Sequence, residues 1–265
     1  MRDAGCGWPH PERWVRSPPA PHSPPRIRNL GGGKFVLSHE PGAKRVARED
    51  LLRRTRGSKD VGGALTLFGV AFNEPAGRGV PVPGIELIAV RELAAIIAPG
   101  AYAVTEPTPE LATAHGEIIG AYAKRGAVLP APVGVVFRSR QAVTRWLELH
   151  YVALSDALSF VDDRVEGRVH VWRPDGAADQ DVGTDIAAAA ADALKDLRRS
   201  AVATVPLRTE QITGIVLSAA YLVEQELWKD FATKVGEQGT RATNLRLELT
   251  GPWPPYDFVQ MQFGG

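Results

Sequence analysis

"RVEGRVHVW", residues 164–172, alternates apolar and polar side chains as a β-strand does, with Val165, Val169 and Val171 on one face. The residues after this strand decide the fold. Thr184 stands where a helix cap belongs, ahead of an Ala-rich helix that runs to about Ser200. "AVATVPL" (201–207) and "ITGIVLSAAYLV" (212–223) read as strands joined by the polar turn "RTEQ". "EQELWKDFATKVGEQG" (224–239) reads as a helix with Leu227, Phe231 and Val235 inward and Gly239 closing it. "ATNLRLELT" (242–250) supplies a last strand. The order β-α-β-β-α-β over 164–250 is that of a ferredoxin-like split βαβ unit.

Upstream, "ALTLFGVAF", "IELIAV" and "LAAIIA" are apolar runs of strand length, and Thr108 precedes a helix whose apolar face is Leu111, Ala114, Ile118, Ile119 and Tyr122. That helix is expected to end at Gly126, and "AVLPAPVGVVF" comes next as an extended segment broken by Pro130 and Pro132. A long helix is then predicted over Arg140–Asp163. Its stripe of Val143, Leu147, His150, Leu154, Ala157 and Val161 is spaced nearly as a heptad seam, which suits packing along a partner helix. The fold class is therefore α+β in two domains, 61–163 and 164–265, joined by this helix.

Residues 1–60 differ in kind. Seven prolines lie between Pro9 and Pro25, and the segment holds 13 Lys and Arg against 6 Asp and Glu. Its apolar residues are too sparse and aperiodic to offset the entropy of ordering, so a disordered basic tail is expected. Residues 61–265 hold 18 Lys and Arg against 24 Asp and Glu, a balance that argues against a nucleic-acid-binding face. Cys6 is the only cysteine, which excludes a disulfide or thiolate site and suits a reducing cytoplasm. No apolar stretch approaches the roughly 20 residues that cross a bilayer, and the first 30 residues show no secretory h-region.

Motifs for chemistry are missing. "GGGKF" (31–35) has Arg28 and Phe35 where a phosphate loop needs Gly and Ser or Thr. His115 and Glu117 stand two positions apart, on different faces of a helix, and no Cys pair comes after them for a deaminase zinc site. A small-molecule enzyme would need a pocket of convergent polar groups around His115. An RNA-binding module of this topology would need Phe and Tyr on its sheet, where these strands carry Ala, Val, Ile and Leu. No catalytic, cofactor-binding or metal-ligating residue is assigned.

The stretch "LELTGPWPPYDFV" (247–259) concentrates stiff and aromatic residues. Its prolines fix one path out of the last strand, so that Trp253 and Tyr256 can fold back over an open end of the core, or meet a partner. Trp253, Pro254, Pro255, Tyr256 and Phe258 are the candidate structural or interface residues.

Three stretches together resemble the gas vesicle accessory proteins of the GvpF/GvpL family: "HGEIIGAYAKRGAVLPAPVGVVF" (115–137), "SAAYLVEQ" (218–225) and "LTGPWPPYDFV" (249–259). The chain departs from the family pattern at Gly116, where an acidic residue is usual, at Pro132, where many members carry Arg, and in the short stretch between Val171 and Thr184. The resemblance implies two α+β domains, the second a modified ferredoxin-like unit. It also implies a non-enzymatic, cytoplasmic role in forming gas vesicles, with the shell subunit and other accessory proteins as partners, and no specific nucleic acid, membrane or cofactor.

Overall fold

The computed structural model describes residues 63–73, 80–103, 107–173, 184–209, 214–242 and 244–259. The expected tail, 1–60, lies outside the described residues, as does the second half of the "RTEQ" turn. The architecture is α+β and rests on two antiparallel sheets.

The first sheet is ordered β2-β3-β1-β4, from β1 (Leu65–Phe72), β2 (Glu86–Val90), β3 (Leu93–Pro99) and β4 (Val128–Pro130), with β5 (Val136–Phe137) also paired to β1. Helix α1 (Pro109–Ala123) begins as the sequence requires, Thr108 accepting a hydrogen bond from the Leu111 N–H at 3.3 Å. The sheet is covered on both faces, which explains why "LAAIIA" is apolar throughout instead of alternating. Ile96 and Ala98 join Ile118, Ile119 and Tyr122 of α1, while Leu93, Ala95 and Ile97 face the other way. The β1 register slips between Leu67 and Gly69, so Leu67 and Val70 share a core although they stand three positions apart. A Cβ on Gly69 would stand 2.6 Å from the Leu129 carbonyl oxygen, so the irregularity needs glycine.

The long helix is corrected by the structure. It is two helices, α2 (Arg140–Leu149) and α3 (Tyr151–Val161), separated at His150. There the backbone N–H and the ring Nδ1 both approach the Trp146 carbonyl oxygen, at 3.1 and 2.9 Å. The stripe is buried as expected at Val143, Leu147, Leu154 and Val161, with Leu158 added. Its partner, however, is the second face of the first sheet and not another helix. A sheet this broad receives two short helices set at a bend; the spacing alone could not distinguish that surface from a helical one.

The second sheet is ordered β7-β8-β6-β9, from β6 (Arg164–Trp172), β7 (Ala203–Leu207), β8 (Ile215–Glu224) and β9 (Arg246–Trp253). With α4 (Thr184–Leu197) and α5 (Trp228–Arg241) the chain order is β-α-β-β-α-β. Both helices cover one face, where Val169, Tyr221, Val223, Leu197, Phe231 and Val235 form a core. Two details differ from expectation. Leu227 precedes α5 in a 3-10 turn and is exposed, and the helix runs past Gly239 to Arg241. Both outer strands carry proline, Pro206 in β7 and Pro252 in β9.

Candidate functional site

The alternation that aims Val169 and Val171 at the helices aims Glu166, Arg168 and His170 at the opposite face of β6. The segment after β9 folds onto that polar row. β9 pairs Trp253 with Glu166 across a register slip between Glu166 and Arg168. Two glycines make room for the Trp228 ring there. A Cβ on Gly167 would meet it at 2.9 Å, and one on Gly251 (φ +130°) would meet it at 2.9 Å and the Glu166 carbonyl oxygen at 2.7 Å. The Gly251–Pro252 peptide is cis.

Beyond β9, Tyr256–Phe258 form a 3-10 turn, with the Tyr256 N–H donating to the Pro254 carbonyl at 2.8 Å. Asp257 is then fixed twice. Its backbone N–H donates to Glu166 Oε2 at 2.8 Å, and its Oδ2 accepts from Arg168 Nε at 2.8 Å. The same Arg168 Nε donates to Glu166 Oε1 at 2.8 Å. One guanidinium thus holds two carboxyl groups, and Glu166 is 0 % exposed. Burial first, and the Asp257 carboxylate second, push the Glu166 carboxyl up to about 8, with Arg168 pulling the other way. Burial disfavours the Arg168 charge, but Glu166 and Asp257 outweigh it and keep the group above its ordinary range. On the same face His170 Nδ1 lies 2.7 Å from Ser218 Oγ, and burial lowers its pKa despite Glu248.

The candidate residues divide. Pro255 is buried and Tyr256 packs on the α1 core, so these two do the covering. Burial, and then Glu166, raise the Tyr256 phenol above its usual range. Trp253, expected to cover the core, is only half-buried, its Nε1–H directed at Thr250 Oγ1 at 3.4 Å. Pro254 and Phe258 are likewise half-buried, and Val259 reaches the core of the first sheet. Glu166, Arg168 and Asp257 were not singled out from the sequence. The signal was present in "RVEGRVHVW", whose polar positions share a face as strictly as its valines do.

His115 is 3 % exposed and tilts against Phe68 at 5.4 Å between ring centroids. Burial lowers its pKa to about 4, against a hydrogen bond to the Phe68 backbone that raises it. The imidazole is thus held neutral within a core. Among the described residues no group of three or more His, Cys, Asp or Glu could hold a metal ion, and no helix is long and apolar enough to cross a membrane. A shallow groove of about 300 Å³ lies elsewhere, between α5 and the 199–202 segment, edged by Arg199, Val202, Leu227 and Lys234.

The family profile described as "Gas vesicle synthesis protein GvpL/GvpF" matches residues 64–186 and 173–260, which includes every element of both sheets and the segment after β9. The chain belongs to the GvpL/GvpF family. It is 26% identical over 181 residues to gas vesicle protein F2 of Halobacterium salinarum, covering 67% of this chain and 81% of that one. It is 31% identical over 185 residues to gas vesicle protein L of a Streptomyces species, covering 57% and 69%. The fold resembles the crystal structure of GvpF from Anabaena sp., with a TM-score of 0.65 at 16% identity over 76% of this chain and 98% of that one. GvpF from Microcystis aeruginosa gives 0.61 at 14%, over 75% and 99%.

In this GvpL/GvpF chain the departure at Gly116 has a visible neighbour. A Cβ there would lie 3.9 Å from the Tyr256 hydroxyl, an ordinary contact, and one on Gly120 would meet nothing within 4 Å. Both glycines sit inside α1, so Gly116→Ala and Gly120→Ala should each stabilise the protein by about 0.5–1 kcal/mol through helix propensity. Thermal melts check this. A loss at Gly116 alone would show that Tyr256 needs the bare backbone.

Proposed function

We propose that the chain is a non-enzymatic accessory protein of gas vesicle formation, acting by contact with the shell subunit, with other accessory proteins, or with both. The observation that carries this reading is the match of the GvpL/GvpF profile to 64–260, together with relatives named as gas vesicle proteins. The burial of His115 supports the non-enzymatic reading. The same reading places the protein at the gas vesicle in the cytoplasm, and divides it at residue 163 into an N-terminal α+β domain and a C-terminal ferredoxin-like domain. Supporting that division, no strand pairs across the two sheets among the described residues, and the β7-β8-β6-β9 order with both helices on one face suits a split βαβ unit. The tail, 1–60, is proposed to be dispensable.

Within this proposal Trp253 is the contact residue of the signature, because a half-buried indole beside stiff prolines is a preorganised anchor. Trp253→Ala should weaken capture of purified shell protein by about 2 kcal/mol while shifting the melt little. Full binding with a melt lowered by many degrees would assign Trp253 to the fold instead. Failure of the unaltered protein to capture either shell or accessory proteins would sink the proposed function.

A further inference from the structure

We propose that residues 254–259 form a releasable strap, closed across the two sheets by one proton shared between Glu166 and Asp257 and loosened when that proton is lost. The strap touches both halves of the fold. Asp257 is tied to β6 of the second sheet by its N–H and its carboxylate, while Tyr256 and Val259 lie on the two cores of the first sheet. A single short segment thus bridges both surfaces.

The charge arithmetic makes the closure conditional. With one proton on the two carboxyl groups, the cluster with Arg168 is neutral. Without it, two carboxylates share a single guanidinium Nε, each at 2.8 Å, and one negative charge is left in a buried site. Burial of Glu166 disfavours joint ionisation, and a second carboxylate on the same guanidinium nitrogen adds to this. The proton passes to buffer, and the strap carrying Asp257 is the movable member, since Glu166 is fixed in the middle of a sheet. The charged and titratable groups facing the site are Arg168 and His170 on β6, Glu248 on β9, and Tyr256 beside Asp257. His170 is held below its ordinary 6.5 and stays neutral across the upper part of the range, so it supplies no compensating charge.

The sign follows from where the proton sits. The Glu166 carboxyl rises from 4.5 to about 8 in the closed form, so closure binds a proton that the open form releases between those values. The closed strap is most stable below the lower value and weakens as pH rises through the upper one. Opening would uncover the Gly116 side of α1, on which the Tyr256 hydroxyl now rests.

Hydrogen exchange of the full chain from pH 6 to 9, corrected for base-catalysed chemistry, tests this on a peptide covering 252–259, with β3 as internal reference. The unaltered protein should lose about a hundredfold in strap protection across that range while β3 stays constant. Glu166→Gln keeps the shape without the titration, so its profile should be flat, whereas Asp257→Asn removes the second charge but leaves Glu166 buried, so its step should shrink. If one variant fails to fold, the other decides. A flat profile in the unaltered protein, a step surviving in folded Glu166→Gln, or an undiminished step in folded Asp257→Asn would overturn the strap.

Discussion

Arg168→Met should destabilise the protein by about 3–5 kcal/mol, the largest loss expected from any polar side chain here. The guanidinium is the one cation touching both Glu166 and Asp257 among the described residues, and its side chain is only 14% exposed. Its removal leaves two carboxyl groups in a site where neither can ionise cheaply. The loss should therefore shrink at pH 5, where both carboxyls hold protons more readily, and grow at pH 8. Urea denaturation at the two values measures it. Arg246→Met is the comparison: that side chain is 54% exposed and 3.6 Å from Glu248, so a change within about 0.5 kcal/mol is expected. Equal effects at the two arginines would show that the buried cluster contributes no more than a surface pair.

Leu154→Asp should prevent folding. Leu154 is buried in α3 within the apolar cluster formed by Leu147, Leu158, Ile97 and Leu129, where a carboxylate is costly to bury. The milder Leu154→Ala removes three side-chain carbons, and a cost of about 2–5 kcal/mol is expected from lost transfer energy and the cavity left behind. Glu148→Ala, on the exposed side of α2, should stay within about 0.5 kcal/mol. Circular dichroism with chemical denaturation separates the three. A folded Leu154→Asp protein would mean that α3 does not rest on the sheet.

The elements of both sheets were largely legible in the sequence, because each buried face leaves a repeat. Thr108 marked its helix, and the alternation in 164–172 marked β6. What was not legible depends on the partner surface. The stripe from Val143 to Val161 is equally consistent with a helix or a sheet beneath it, and only the bend at His150 shows which is present. Leu227 followed the inward spacing of Phe231 and Val235, yet it sits one turn too early, in a 3-10 segment whose pitch rotates it outward. The polar cluster was hidden for another reason. Glu166 and Asp257 are 91 positions apart, and no local pattern in a single sequence links residues at that distance.

The prolines in the two outer strands carry a further consequence. Pro206 and Pro252 each remove an amide from an edge that would otherwise offer a regular row of donors. Each proline blunts its edge against pairing with an incoming strand, which makes the second sheet a poor template for stacking one copy upon another. Association at this sheet then falls to its side chains.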